Sequence, residues 1–155
     1  MTTCDLCLTS PDQTAAWAQR LGAVLQPGDC VLLTGQIGAG KTHLCRQLIQ
    51  SLLPVPEDVP SPTFTLVQTY DTPACEIWHA DLYRLSSTDE IEELGLTEAF
   101  DTAICLVEWP DRLGDLTPSD ALSLTLTPAQ DANTRILTLT WSAPKWDKTL
   151  HSLIR

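Results

Sequence analysis

Gly35-Gln36-Ile37-Gly38-Ala39-Gly40-Lys41-Thr42 satisfies the pattern G-x-x-x-x-G-K-S/T, with the apolar run Val31-Leu32-Leu33 ahead of it and a helix-like stretch from His43 to Leu53 behind it. Strand, glycine-rich turn and helix in that order make a phosphate cradle. The glycines let the main chain curl so that successive N–H groups point at a polyphosphate, and the helix N-terminus adds partial positive charge. Lys41 is placed to reach the β- and γ-phosphates, and the Thr42 hydroxyl to take one position on Mg²⁺. A nucleoside polyphosphate is therefore the expected ligand. The base is not legible, because base contacts in such folds come from variable loops.

Working outward, 155 residues of which 43 % are hydrophobic suit one compact domain, residues 1–155, with a real core. No run of eighteen apolar residues occurs, and the start, MTTCDLCLTSPD, has neither a basic n-region nor a signal-like apolar core. A cytoplasmic protein with no membrane contact is expected. The six cysteines are expected to be reduced packing residues. Cys4 and Cys7 are spaced C-x-x-C, but on a strand they face opposite sides. Twenty acidic residues against nine Lys plus Arg give a formal charge of −11, which argues against independent, tight nucleic-acid binding. Lys145 and Lys148 either form a small basic edge or lie on a solvated helix face.

Ser10-Pro11-Asp12-Gln13 supplies an N-cap, a proline at the first helical position and a capping-box Gln, so a strand over Cys4 to Leu8 is followed by a helix ended by Pro27-Gly28-Asp29. Cys30 to Thr34 is a buried strand, and Thr42 to Leu53 the helix beyond the cradle. Phe64 to Tyr70 and Glu76 to Leu85 read as a hairpin turning at Asp71-Thr72-Pro73. Ser86 to Phe100 reads as a short acidic helix, a turn at Gly95 and another helical turn. Ala103 to Val107 is a buried strand that Pro110 ends. A second hairpin covers Ala121 to Thr127 and Arg135 to Trp141. Pro144 to Arg155 closes as an amphipathic helix with Trp146, Leu150, Leu153 and Ile154 inward. The sum is an α/β fold, a P-loop three-layer sandwich on a mixed parallel and antiparallel sheet of about seven strands.

A phosphate loop needs an acidic partner for Mg²⁺, and Ala103-Ile104-Cys105-Leu106-Val107-Glu108 ends an apolar run in a carboxylate. Glu108 is the first metal candidate; direct ligation, ligation through water and activation of the attacking water are all open to it. Alternation along Ile77-Trp78-His79-Ala80-Asp81-Leu82-Tyr83 puts Ile77, His79, Asp81 and Tyr83 on one face. Asp81 is expected to orient the metal or its waters, and His79 is either part of the site or a hydrogen-bonded structural imidazole. Ser61-Pro62-Thr63-Phe64-Thr65 sits where such enzymes carry a γ-phosphate sensor, or is a proline-rich turn. Trp109 suits stacking, partner contact or the core. Arg84 is the only arginine beside a motif, and the acidic run Glu90 to Glu93 offers it an ion-pair partner. Turnover by the isolated chain is expected to be slow.

Taken in order, Gly35 to Thr42, Ser61-Pro62-Thr63-Phe64, His79-Ala80-Asp81-Leu82-Tyr83-Arg84-Leu85 and Glu108-Trp109-Pro110-Asp111-Arg112-Leu113 resemble the bacterial TsaE family, also called YjeE, over nearly the whole chain. The resemblance implies a P-loop ATPase that supports formation of N6-threonylcarbamoyladenosine at position 37 of tRNAs reading codons that start with A. It implies TsaB and TsaD as partners, which carry the transfer chemistry, with tRNA met only indirectly. It further implies ATP or ADP and Mg²⁺ as ligands, phosphate binding by Gln36, Ile37, Gly38, Ala39, Gly40 and Lys41, Mg²⁺ ligation by Thr42 and Glu108, and support of metal and hydrolysis by Asp81. Lys41, Asp81 and Glu108 become the catalytic set, and Thr14 matches a family position near the nucleotide. The chain departs from the family at its C-terminus, which stops soon after Trp146-Asp147. A small-molecule kinase is the alternative, though a lid with arginines is not evident, and a nucleotide-gated binding module is a third reading.

Overall fold

The computed structural model describes residues 1–154. In chain order the elements are β1 (Thr2–Leu8), α1 (Pro11–Val24), β2 (Cys30–Thr34), α2 (Lys41–Leu52), β3 (Val67–Asp71), β4 (Glu76–Asp81), α3 (Thr88–Glu93), α4 (Leu96–Thr102), β5 (Ile104–Glu108), a 3₁₀ segment (Pro110–Leu116), β6 (Leu122–Pro128), β7 (Arg135–Trp141) and α5 (Lys145–Thr149). The seven strands form one sheet in the order β1-β7-β6-β2-β5-β4-β3. Its centre, β6-β2-β5-β4, is parallel, and antiparallel pairs flank it: β7 and β1 on one side, β3 on the other.

Alternation along the strands feeds two apolar layers, giving the three-layer α/β sandwich. On one face Val31, Leu33, Ile77, Leu106, Leu124 and Leu139 pack under α1 and α2 through Leu21, Leu44, Leu48 and Ile49. On the other, Leu32, Ala80, Cys105 and Val107 meet Ile91 of α3, Leu96 and Ala99 of α4, and Leu113. Each fully buried Leu or Ile contributes about 1.5–3 kcal/mol of transfer free energy, so this double layer supplies the main driving force for folding. Gly22 allows α1 and α2 to approach closely: a Cβ there would lie 3.2 Å from Leu48 Cγ and 3.3 Å from Ser51 Oγ. Ser10 caps α1 by accepting from Gln13 N at 3.1 Å, while the Gln13 side chain reaches past the cap to Thr9 N at 2.8 Å.

Three expectations need correction, and one open alternative is excluded. The strand read from Phe64 begins at Val67, because Leu66 N donates to Pro62 O (2.7 Å) and Leu66 takes a left-handed φ of 70°, which turns the chain and leaves Phe64 exposed. The strand read to Leu85 stops at Asp81, whose own carboxylate accepts from Tyr83 N (3.0 Å) and folds the backbone out of the sheet. The final helix spans only Lys145–Thr149 and gives way to turns; Trp146, Leu150 and Leu153 point inward as expected, and Arg155 lies outside the described residues. Lys145 does not build a basic edge: it bonds Asp29 Oδ1 at 2.9 Å and Asp120 Oδ2 at 3.4 Å. Cys4 and Cys7 face opposite sides of β1, as the spacing requires. Among the described residues, no helix is long and apolar enough to cross a membrane.

Candidate functional site

β2 runs into the glycine-rich turn, and the turn runs into α2, so the first N–H groups of the helix emerge beside the ends of the parallel strands. Gly38 (φ 83°) and Gly40 (φ 107°) take left-handed conformations that bend the loop; Gly40 is also the N-cap of α2. Leu44 N is the first to bond back along the helix, to Gly40 O at 2.9 Å. The amides of Lys41, Thr42 and His43 are thereby left without helical carbonyls, which is the condition for binding an anion. Arg135 of β7 braces the loop from behind by donating through Nε to Ala39 O at 3.0 Å.

Glu108 ends β5 and Asp81 ends β4, and the parallel register sets them opposite each other. Both are buried, yet each is held by its own donors. Thr42 Oγ1 donates to the Glu108 carboxylate (2.9 Å to Oε1, 3.1 Å to Oε2), and His79 Nε2 lies 2.7 Å from Oε2. Asp81 Oδ1 accepts from Tyr83 N, and Oδ2 accepts from Thr63 Oγ1 at 3.3 Å; Thr63 in turn meets Ser61 Oγ at 2.7 Å. The hydroxyl-rich loop is thus tied to the acid at the end of β4.

Lys41 folds back on its own loop, bonding Gly35 O and, at 3.2 Å, Gln36 O, with its ammonium 4.1 Å from the centre of the Trp109 ring. Trp109 takes a left-handed φ of 58°, is half-buried rather than part of the core, and packs on Tyr83 with ring centres 4.8 Å apart. Burial pushes the Lys41 pKa down from 10.5, opposed by the charges of Glu108 and Asp81. Two carboxylates against one ammonium leave the site net negative, as a divalent cation requires.

A cleft of 360 Å³ opens between these groups, lined by Gln36, Ile37, Gly38, Gly40, Lys41, Thr42, His43, Thr63, Asp81, Tyr83, Glu108 and Trp109. The donor set toward a metal is hard oxygen: one hydroxyl and two carboxylates, which suits Mg²⁺. The Cys45 thiol, the His79 imidazole and the Glu108 carboxylate bring ligand atoms within 4.8 Å of one another. Burial, and then the charges of Glu108 and Asp81, hold that thiol protonated, so Cys45 is a packing neighbour and not a ligand.

Of the residues singled out from sequence, the structure brings together Gln36, Ile37, Gly38, Gly40, Lys41, Thr42, Asp81 and Glu108 on one cleft. Ala39 is buried behind the loop. Thr14 does not line the cleft: it is buried on α1 with its hydroxyl on Ser10 O at 3.4 Å, although the same helix start meets His43 through Pro11 O (3.1 Å). Among the described residues Arg84 makes no ion pair with Glu90 to Glu93, and stands 5.3 Å over the Phe64 ring. The sequence patterns mark neither the brace from Arg135 nor the contact of His43 with Pro11 O, because both depend on long-range packing that leaves no local pattern.

The family profile described as threonylcarbamoyl adenosine biosynthesis protein TsaE matches residues 8–137. The chain belongs to the TsaE family. Among its relatives, the tRNA threonylcarbamoyladenosine biosynthesis protein TsaE of Rickettsia bellii is 42 % identical over 119 residues, covering 77 % of this chain and 83 % of the relative. The protein of the same name from Bacillus subtilis is 33 % identical over 147 residues, covering 94 % and 90 %. The crystal structure of Bacillus subtilis YdiB superimposes with a TM-score of 0.82 at 27 % identity, over 98 % of this chain and 94 % of that one. The matched span of this TsaE-family chain contains every cleft residue named above.

Proposed function

We propose that this chain is an ATP-hydrolysing accessory subunit for the N6-threonylcarbamoyladenosine modification at position 37 of tRNAs reading codons that start with A, working in the cytoplasm with TsaB and TsaD and meeting tRNA only through them. The observation that carries the reading is the convergence of the phosphate loop, Lys41, Thr42, Asp81 and Glu108 on one cleft. The names of the relatives support the pathway.

In this reading the amides from Gln36 to Lys41 hold the polyphosphate, and Lys41 leaves the carbonyls of Gly35 and Gln36 to meet the β- and γ-oxygens. Thr42 and Glu108 hold Mg²⁺. The Thr42 proton is already spent on Glu108, so its oxygen lone pairs are free for the metal. When bound, Mg²⁺ neutralises phosphate charge and orients the terminal phosphoryl group. Asp81 faces the same space and orients water, held in place by Thr63 and the Tyr83 amide. Among the described residues no arginine lines the cleft. Apart from the metal, charge developing on the transferred phosphoryl group then meets only Lys41 and the loop amides of this chain, which supports slow turnover by the isolated chain and acceleration by partners. Calorimetry with ADP and ATP in Mg²⁺, followed by phosphate release measured with and without TsaB and TsaD, tests the reading. Binding with partner-stimulated release is expected; no heat, or flat turnover across the partner titration, would overturn it.

A further inference from the structure

We propose that His79 is a positioning residue for the Mg²⁺ site: a neutral imidazole whose Nε2–H fixes the Glu108 carboxylate while leaving its negative charge intact. The inference rests on the nucleotide reading above and assigns work to a side chain outside the cleft lining.

His79 is fully buried on the face of β4 that packs against α2. Its Nε2 lies 2.7 Å from Glu108 Oε2, and among the described residues its Nδ1 has no hydrogen-bond partner. Each protonation pattern can be tested against that geometry. An imidazolium would bury an Nδ1–H with nothing to accept it and would cancel the Glu108 charge. A proton on Nδ1 alone would set the Nε2 lone pair against a carboxylate at 2.7 Å, or require a protonated Glu108 and still strand the Nδ1–H. A proton on Nε2 alone strands only an acceptor, the cheaper omission, and donates to the carboxylate. Thr42 Oγ1 lies 2.9 and 3.1 Å from the two Glu108 oxygens and donates to the same carboxylate from the other side.

Glu108 Oε2 is therefore held from inside the protein while the carboxylate still faces the cleft. A metal-ligating carboxylate oriented by a buried donor loses little freedom when the ion arrives, and loss of such a partner typically costs about 10–100-fold in metal affinity or activity.

The test uses the full chain labelled with ¹⁵N-histidine, where the three histidines keep the spectrum simple and loss of one signal in His79→Gln assigns it. The expected signature is an unprotonated Nδ1 and a slowly exchanging Nε2–H that shifts when Mg²⁺ is added to the ADP-bound protein. Two protonated nitrogens, or a proton on Nδ1, overturns the proposal. In parallel, His79→Leu keeps the volume without the donor, and His79→Gln restores an N–H. With thermal unfolding confirming that both fold, His79→Leu is expected to need about 10–100-fold more Mg²⁺ to tighten ADP binding, with metal-free ADP binding unchanged and His79→Gln recovering most of the loss. Coincident Mg²⁺ titrations for wild type and His79→Leu overturn the positioning role. Wild type that binds no nucleotide sinks the functional reading and this proposal with it, whereas a wrong tautomer beside normal Mg²⁺ dependence sinks only this proposal.

Discussion

Replacing Lys41 with Met separates what the side chain does for the fold from what it does for the ligand. In the ligand-free protein the ammonium bonds two loop carbonyls and lies over Trp109. Bonds from a charged donor contribute about 1.5–3 kcal/mol each, and the ring contact about 0.5–2 kcal/mol. Against them stand a desolvation cost of several kcal/mol for an ammonium and up to about 2 kcal/mol of side-chain entropy. Burial lowers the Lys41 pKa below 10.5 despite the attraction of Glu108 and Asp81, which puts desolvation ahead in this balance. Met keeps most of the apolar stem and drops the charge. Lys41→Met is therefore expected to match or exceed wild-type stability, by up to about 1 kcal/mol, or roughly 2–4 °C in Tm. ADP affinity is expected to move the other way. Two charge-assisted bonds to phosphate, at about 1.5–3 kcal/mol each, correspond to a loss on the order of 10²–10⁴-fold.

Differential scanning calorimetry and ADP titration measure both quantities on the same samples. The pH dependence adds a sign. Between the lowered folded pKa and 10.5 the unfolded chain keeps a proton that the folded chain has released, so stability rises with pH there. The penalty is fully present below that window, and wild type should gain on Lys41→Met as pH climbs through it. A variant that melts about 8 °C or more below wild type, or binds ADP as wild type does, would refute the reasoning.

Tyr70→Phe is expected to raise Tm by a few degrees, because the buried Tyr70 hydroxyl has no hydrogen-bond partner among the described residues and an unsatisfied buried group costs about 1–3 kcal/mol; a lower melting temperature would show a partner. Gly35→Ala sets a Cβ 2.9 Å from the Leu126 backbone oxygen and 3.2 Å from Ala39 Cβ, so it is expected to cost about 1–3 kcal/mol and weaken ADP binding by shifting the loop. Asp29 accepts from Gln26 N (2.8 Å) and from Lys145, so Asp29→Ala is expected to destabilise by about 2 kcal/mol. Because Lys145 is 39 % exposed, its coupling to Asp29 in a double-mutant cycle should reach only about 0.5–1 kcal/mol.

The parts of the site that the chain announces are those set by local periodicity. The phosphate loop is a contiguous motif, and alternation on β4 put His79 and Asp81 on one face. Glu108 was marked by the apolar run before it. Alternation also misled, since it continues through Phe64 and Leu85 after the backbone has already turned at Leu66 and at Asp81. The turn at Asp81 arises from that residue's own side chain, which a pattern of polar and apolar letters does not encode. Arg135 reaches Ala39 across 96 residues of chain, and Trp109 meets Lys41 from a left-handed turn at the start of the 3₁₀ segment. Such contacts follow from the assembled sheet.

The same assembly explains why the site should be unstable without its ligand. Parallel pairing of β4 and β5 sets Asp81 opposite Glu108 at the strand ends where α/β folds bind ligands. Two carboxylates and an ammonium are desolvated there together, a cost that the hydrogen bonds from Thr42, Thr63, His79 and the Tyr83 amide work against. A nucleotide with its metal would give each of these charges a partner, so binding energy should appear as added stability. At 100 times the dissociation constant the gain is about 2.7 kcal/mol, or roughly 5–11 °C in Tm. Asp81→Asn removes one of the crowded charges and should raise the melting temperature of the ligand-free protein while shrinking the shift on adding Mg²⁺ and ADP. A ligand-free Asp81→Asn protein that melts below wild type would mean that the carboxylate pair is already balanced within the fold.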